Sequence, residues 1–145
     1  MASSSSSPLP TLCLNMIVKN ESRVIRRLLE SVAPLIDSYC ICDTGSTDDT
    51  IEIIESFFKE RGIVGKVVCE PFRDFGYNRT FALNACRDMP EGTADYLLLL
   101  DADMILKIRD DFPPEKIKQK LLEADKYAFH LLQGSDYFNY KNTRI

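Results

Sequence analysis

Apolar residues occur along the chain in short runs separated by polar segments, and the lengths of these runs predict alternating strands and helices. Runs of five to seven residues that end in polar positions are typical of buried strands. Between them, apolar residues recur at helical spacing, as in Val24, Ile25, Leu28, Leu29 and Val32. The predicted order is βαβαβαβ, then a helix and a further strand, with strands at 12–18, 36–42, 66–70, 96–100 and 127–132.

Polar residues and glycines at the ends of the predicted helices indicate where these helices begin and end. Asn20 is placed to cap the first helix, and Ser46 or Thr47 to cap the second, with acidic residues in its first turn. Gly62 is placed to end the second helix, since glycine readily adopts a left-handed conformation. The third helix is expected to begin near Tyr77.

This alternation predicts an α/β fold of three layers, a mostly parallel sheet with helices on both faces. Ligands of such sheets bind outside the carboxyl ends of the strands. The run of four leucines at 97–100 is unbroken, so this strand is expected to be covered on both faces. We expect one domain over residues 11–145, preceded by a disordered serine-rich tail at 1–10.

Composition and charge narrow the classes of partner. A net charge of -4 and a pI near 5.0 argue against nucleic acid as the partner. No apolar run approaches the ~20 residues of a membrane span, and no signal-like start is present, so we expect a cytoplasmic protein. The five cysteines form no C-x-x-C pair and are interpreted as reduced and buried, and His130, the single histidine, as part of the core.

The sharpest chemical signal is Asp101-Ala102-Asp103, which follows the four leucines directly. On an extended chain, alternate side chains point the same way, so both carboxylates would face one site. A divalent cation that bridges them to a diphosphate would relieve their repulsion, and Mn²⁺ and Mg²⁺ favour such oxygen ligands. The alternative is a pair of solvated loop carboxylates.

The segment Asp43-Thr44-Gly45-Ser46-Thr47-Asp48 is the second signal. Its glycine and hydroxyl residues suit a bend and a helix cap, which is a purely structural role. That role does not require Asp43, which comes at a strand end where a nucleobase or a ribose could lie.

The segments CLNMIVKNE, CDTGSTDDT, NRTFALNAC and YLLLLDADM, in this order, resemble the GT-A-type glycosyltransferases of family 2. The resemblance is strong from residue 11 to about residue 105 and weaker beyond it. It implies a GT-A fold, a Rossmann-like nucleotide-binding half that holds a nucleoside diphosphate sugar. One departure is Thr80, where many members have asparagine.

The resemblance also implies roles for individual residues. The strand end at 14–20 would line the base, and Asp43 would hydrogen-bond it, the base usually being uracil. Arg79 matches an arginine near the diphosphate, Asp101 would approach the ribose or the metal, and Asp103 would hold the metal. The implied donor site comprises Val18, Asn20, Glu21, Asp43, Gly45, Ser46, Arg79, Asp101, Ala102 and Asp103, with Asp101 and Asp103 as ligands of Mn²⁺ or Mg²⁺.

The expected function is metal-dependent, inverting transfer of a sugar from a nucleoside diphosphate donor, UDP in particular, to a hydroxyl of a glycan, protein or small molecule. None of the acids after Asp103 lies in a motif that identifies a catalytic base, so we expect the chain to be truncated at its C-terminus. One alternative is a nucleotide-sugar-binding module without turnover. Another is a phosphatase of the haloacid dehalogenase kind, in which the D-x-D motif follows the first strand.

Overall fold

The computed structural model of the protein describes residues 9–89, 94–108, 110–124, 130–134 and 139–143. Strands and helices alternate over most of this length, as the apolar pattern predicts. The elements are β1 (Leu12–Val18), α1 (Ile25–Val32), β2 (Ser38–Asp43), α2 (Thr50–Arg61), β3 (Val64–Cys69), α3 (Phe75–Arg87), β4 (Tyr96–Leu99), α4 (Pro114–Ala124), β5 (His130–Gly134) and β6 (Asn139–Thr143).

The first four strands form a parallel sheet in the order β3-β2-β1-β4. Strand β1 lies at its centre, with Cys13 opposite Ser38 of β2 and Leu97 of β4. The chain moves outward from β1 to β3 and then returns to the other side of β1, so a crevice opens between β1 and β4 at their carboxyl ends. The predicted α/β class, with a mostly parallel sheet, is confirmed.

Helices cover both faces of this sheet because alternate residues of each strand point in opposite directions. On one face, the even-numbered residues Leu12, Leu14 and Met16 belong to a large apolar core that includes residues of α1, α2 and α4. On the other face, Cys13 and Cys40 pack with Cys86 of α3. In the described segments, no helix is both long enough and apolar enough to cross a membrane.

The C-terminal strand differs from the prediction. The sequence predicted one strand at 127–132, whereas β5 spans His130–Gly134 and pairs antiparallel with β6 in a separate two-stranded sheet. An apolar run is compatible with either kind of pairing, and only the partner strand decides between them. Residues 125–129 and the side chain of His130 lie outside the described residues, and so does most of the predicted tail.

Several element boundaries also differ from the prediction. Strand β2 begins two residues later than expected, because Leu35 and Ile36 are buried in the preceding turn rather than in the strand. Strand β3 begins at Val64, and α3 begins at Phe75 instead of near Tyr77. Gly62 does end α2, with a left-handed φ of 69°, as predicted.

Strand β4 packs on both faces, as expected, with Leu98 in the large core and Leu97 against the cysteine cluster, but it is not completely buried. Within β4 only Leu98 is fully buried, and its neighbours are half-buried. The reason is position, since β4 is an edge strand of the described sheet.

Candidate functional site

The loops that follow β1 and β2 are held together at the carboxyl edge of the sheet. Asn20 Oδ1 accepts hydrogen bonds from the backbone N–H of Thr47 (2.7 Å) and Asp48 (3.3 Å). The backbone N–H of Asn20 in turn donates to Ser46 Oγ (2.8 Å). Asn20 has a φ of 52°, a conformation that asparagine tolerates better than most residues. These bonds place two strand ends side by side.

The same contacts overturn the predicted helix caps. Helix α1 has Val24 at its N-cap position and α2 has Asp49, and neither cap makes a side-chain hydrogen bond among the described residues. Asn20 and Ser46 bind each other's loops instead, so neither acts as a cap. The acidic pair before α2 precedes the helix rather than forming its first turn.

A second set of hydrogen bonds positions Glu21, and the sequence did not predict it. Thr50 Oγ1 accepts from the backbone N–H of Glu21 (2.8 Å) and donates to Asp48 Oδ1. Asp48 also accepts from the backbone N–H of Ser22 (3.3 Å). The hydrogen bonds from Thr50 and Ser22 lower the pKa of Asp48 to about 2, so Asp48 is a carboxylate at neutral pH.

Asp43 is the last residue of β2, and its carboxylate is almost completely buried, with 2% of the residue exposed. Its Oδ1 accepts from the backbone N–H of Gly45 and of Ser46, both at 2.8 Å. Gly45 has a φ of 127°, which favours glycine at the bend. Asp43 Oδ2 is buried and has no hydrogen-bond partner among the described residues. Such an oxygen is costly unless a ligand satisfies it.

Asp101 and Asp103 lie just beyond β4, and both are exposed. They are not on an extended chain as predicted, because the backbone N–H of Met104 donates to the carbonyl of Asp101 (3.0 Å) and closes a turn. Ala102, at the centre of this turn, is only 2% exposed and anchors it in the core. Buried Ala102 therefore fixes the turn, and the carboxylates on either side of it are exposed to solvent.

Glu21 lies within electrostatic reach of acidic residues from both sides of the crevice. Its pKa is raised by desolvation and then by the negative charges of Asp103, Asp101 and Asp48. Glu21 follows β1, and the two aspartates follow β4, so the acids meet where the strand order reverses. Within the described part of the chain, no three acidic, thiol or imidazole groups are arranged to hold a metal ion by themselves.

Arg79, predicted to lie near the diphosphate, contacts the central strand of the sheet. It is half-buried on α3, with Nη1 3.4 Å from Asn15 Oδ1 and its guanidinium 5.6 Å from the centre of the Phe75 ring. Asn15 is completely buried in β1, and its Nδ2 donates to the carbonyls of Cys40 and Ala82, both at 3.0 Å. Arg79 thus helps to join α3 to the sheet.

Asn78 is a further polar residue whose position the sequence did not reveal. It is completely buried, and its Oδ1 accepts from the backbone N–H of Arg73 (2.8 Å). Its Nδ2 donates to the carbonyl of Pro71 (3.2 Å), which holds the loop between β3 and α3 against the helix. Buried amides such as Asn15 and Asn78 interrupt apolar patterns, and that interruption is the signal that could have identified them.

The predicted site residues therefore fall into two groups. Val18, Asn20, Glu21, Asp43, Gly45 and Ser46 lie together around the ends of β1 and β2, and Asp101 to Asp103 approach from β4. Arg79 contacts Asn15 of β1 from α3, which covers one face of the sheet. The D-x-D motif follows the fourth strand, whereas the phosphatase alternative predicts it after the first.

Comparisons with known proteins agree with this arrangement. An uncharacterized glycosyltransferase of Rickettsia felis is 27% identical over 126 residues, which cover 87% of this chain and 36% of that protein. The prophage-derived glycosyltransferase SunS of Bacillus subtilis is 30% identical over 95 residues, 65% of this chain and 20% of that protein. The chain thus spans between about a fifth and little more than a third of the length of these curated relatives.

Solved structures share the fold. S. aureus TarS 1-349 in complex with UDP superposes with a TM-score of 0.60 and 20% identity over 87% of this chain and 36% of TarS. The mannosyltransferase PcManGT from Pyrobaculum calidifontis, in complex with GDP-Man and Mn²⁺, gives a TM-score of 0.57 and 21% identity over 72% of this chain and 30% of that one. The model of glycosyl transferase family 2 matches residues 13–137, so the chain belongs to this family.

Proposed function

We propose that this chain forms the donor-binding part of a glycosyltransferase that uses UDP-sugar and a divalent cation and transfers the sugar to an acceptor hydroxyl with inversion. Membership of the family supports sugar transfer. The convergence of the β1, β2 and β4 ends at one crevice supports a nucleotide site there.

The observation that carries the donor assignment is the buried Oδ2 of Asp43. Its partner oxygen is already bound by two backbone N–H groups, and Oδ2 has no partner among the described residues. A nucleobase N–H would satisfy it, and uracil presents one such group at N3. Adenine offers only its exocyclic N6 amino group on the same edge and has no ring N–H there, and on this difference we propose uracil as the base.

The cation assignment depends on the chemistry of the acids at the crevice. Asp101 and Asp103 supply exposed carboxylate oxygens, which suit Mn²⁺ or Mg²⁺. The pKa of Glu21 is raised by desolvation and by the negative charges of Asp103 and Asp101, which supports a crevice where carboxylates of both loops lie close together. A cation held by one or two carboxylates, with phosphate oxygens completing its shell, fits these residues, whereas a site made of protein ligands alone does not.

A bound divalent cation would stabilise the negative charge that develops on the leaving diphosphate. The protein's own residues orient the donor: Asp43 binds the base, and the joined loops at Asn20 and Ser46 keep the base and ribose positions fixed. Val18 and Ala102 are buried below the crevice and support its floor. Arg79 would reach the diphosphate by leaving its contact with Asn15.

The solved structures with the same fold are consistent with this proposal. The TarS structure contains UDP, and the PcManGT structure contains GDP-Man and Mn²⁺. Both show that the fold can hold a nucleoside diphosphate, and the second that it can do so with a divalent cation. For the present chain, Asp43 supports a base with a ring N–H, and the proposal of uracil rather than guanine, which has such a group at N1, follows the family resemblance.

Calorimetric titration of UDP with and without Mn²⁺ tests the proposal. Asp103→Asn should weaken Mn²⁺-dependent binding at least tenfold, because the cation loses a charged oxygen ligand and the diphosphate then faces Asp101 unscreened. The control is Asp88→Asn, which makes the same charge change at an exposed position. Asp88 is the C-cap of α3, at the C-terminal end of that helix. Equal affinity in Asp103→Asn and the parent would refute the metal assignment.

A further inference from the structure

Three of the five cysteines meet in a buried cluster on the α3 face of the sheet, away from the acidic crevice. Cys13 of β1 and Cys40 of β2 are completely buried, and Cys86 of α3 is 2% exposed. The Sγ atoms of Cys13 and Cys86 are 3.1 Å apart. Met89 closes the cluster. All five cysteines lie within the described residues and are free thiols.

The three thiols are not equivalent. Hydrogen bonds from Cys13 and Cys40 lower the pKa of Cys86, and the positive charge of Lys66 acts in the same direction. The same contacts with Cys86, together with burial, raise the pKa of Cys13 and of Cys40. Lys66 lies opposite Cys40 in the register of β2 and β3. Cys86 is therefore the thiol of this cluster that ionises most easily, and the thiolate is the reactive form.

We propose that Cys13 and Cys86 form a site of reversible oxidative modification, in which a hydroperoxide joins the two thiols in a disulfide. The sulfurs need to approach by only about 1 Å to reach the ~2.05 Å of a disulfide bond. They belong to elements that already pack together, since Asn15 of β1 is bonded to Ala82 and Arg79 of α3. The distance that carries this inference is independent of the donor site.

The reaction balances with hydrogen peroxide as the oxidant. The Cys86 thiolate attacks one peroxide oxygen, the O–O bond breaks, and a sulfenic acid and hydroxide result. Cys13 then attacks the sulfenic sulfur, the S–S bond forms, and its proton and the leaving hydroxide make water. The proton that Cys86 lost on ionisation converts the hydroxide of the first step to a second water, and two electrons pass from the sulfurs to the peroxide. A dithiol reductant reverses the crosslink.

The crosslink would tie α3 to the central strand across 73 residues of chain. Closing a loop of this size restricts the unfolded state, and for a chain of this length the midpoint of thermal unfolding should rise by roughly 10 °C. The hydrogen bonds of Asp43 and Glu21 are made to Gly45, Ser46 and Thr50 and do not involve Cys13 or Cys86, so binding of the nucleobase should persist in the oxidised protein.

Peptide mapping of the folded 145-residue chain tests the proposal. The protein is treated with hydrogen peroxide, quenched with catalase, unfolded in the presence of N-ethylmaleimide, digested and analysed by mass spectrometry. The expected product is a Cys13–Cys86 linked peptide that disappears on reduction with dithiothreitol, while Cys40 and Cys42 carry the maleimide. The exposed Cys69 is the control, and Cys69→Ser should leave the crosslink and the rise in melting temperature intact.

Cys86→Ala should abolish both the crosslink and the peroxide-dependent rise in melting temperature. The mapping of the parent protein does not depend on how well this variant folds. Maleimide on both Cys13 and Cys86 after peroxide treatment would overturn the proposal, and so would a disulfide that joins Cys86 to Cys40 instead.

Discussion

At the scale of single residues, the acids of the crevice differ because their surroundings differ. Asp43 is buried, with one oxygen bound by backbone N–H groups and the other without a described partner. Asp48 is held as a carboxylate by Thr50 and Ser22. Glu21 has a raised pKa because it is partly desolvated and faces other carboxylates. The environment of Asp43 suits base binding, that of Asp48 suits fixation of the loop, and that of Glu21 suits a position beside a cation.

Asp43→Asn provides the most direct test of base recognition. Asparagine can keep an acceptor oxygen toward Gly45 and Ser46, but it replaces Oδ2 by an NH₂ group that cannot accept from uracil N3–H. We expect UDP affinity in Mn²⁺ to fall roughly 10- to 100-fold, the value of a hydrogen bond to a charged group, with the metal requirement unchanged. Calorimetry measures both. If Asp43→Asn and the parent protein prefer UDP over ADP by the same factor, Asp43 does not recognise the base.

Glu21→Gln tests the electrostatics of the crevice through stability. Because the folded-state pKa of Glu21 is raised, the folded protein binds this proton more tightly than the unfolded chain does. The associated stability is present below the unfolded value and is lost as pH rises through the folded pKa. Glutamine removes that loss, so Glu21→Gln should raise the free energy of unfolding at neutral pH, by up to about 1 kcal/mol for a partly exposed group.

Urea unfolding at about pH 3.5 and about pH 7, without metal, measures this effect. The gain from Glu21→Gln should vanish at the lower pH, where both side chains are neutral. Glu30→Gln changes an exposed carboxylate on α1 in the same way and is the matched control. A gain that is the same at both pH values would indicate packing rather than charge.

At the scale of elements, the pairing of β2 with β3 depends on one close approach. Gly65 lies opposite Tyr39, and a Cβ at position 65 would lie 2.1 Å from the Tyr39 carbonyl and 2.4 Å from its ring. The Tyr39 ring cannot move away freely, because it is 7% exposed and stacks on Phe58 with centroids 4.0 Å apart. Glycine is therefore required here for space.

Gly65→Ala should consequently destabilise the protein by roughly 2–3 kcal/mol, in the upper part of the range typical of overpacking. Gly62→Ala is the matched control, since nothing lies within 4 Å of its Cβ position and only the left-handed φ of 69° is strained. That change should cost about 1 kcal/mol. Chemical denaturation of the two variants gives the comparison, and equal losses would show that the contact with Tyr39 is not the cause.

At the scale of the whole molecule, the proposed function requires an acidic protein to bind an anionic ligand. The chain carries a net charge of -4, and four of its acids converge on the crevice. The carboxylates would repel a nucleoside diphosphate alone. A divalent cation between them and the diphosphate makes the net interaction attractive. Binding of nucleotide and cation should accordingly be mutually dependent.

Thermal unfolding detects this dependence. At UDP concentrations about 100 times the dissociation constant, with Mn²⁺, binding adds about 2.7 kcal/mol and should raise the melting temperature by roughly 5–10 °C. Removal of the metal by EDTA should abolish most of this rise. A shift of equal size in EDTA would mean that the acids at Asp101 and Asp103 do not act through a cation.

The sequence by itself determined the class of fold and the composition of the crevice. Apolar run length and helical spacing are local properties, and the parallel direction of β1 to β4 was predicted from the alternation that they indicate, whereas the order of these strands was not. Because parallel strands end at a common edge, the polar residues after β1, β2 and β4 had to meet there. The position of Asp43 at a strand end could be predicted for the same reason.

Contacts between residues far apart in sequence were decided only by the tertiary structure. Local signals favoured Asn20 and Ser46 as helix caps, but they lie 26 residues apart in loops that the sheet brings together, and their mutual hydrogen bonds prevailed. The contact of Cys13 with Cys86, which lie 73 residues apart, has the same origin. Each depends on how elements pack around β1, which no local pattern encodes.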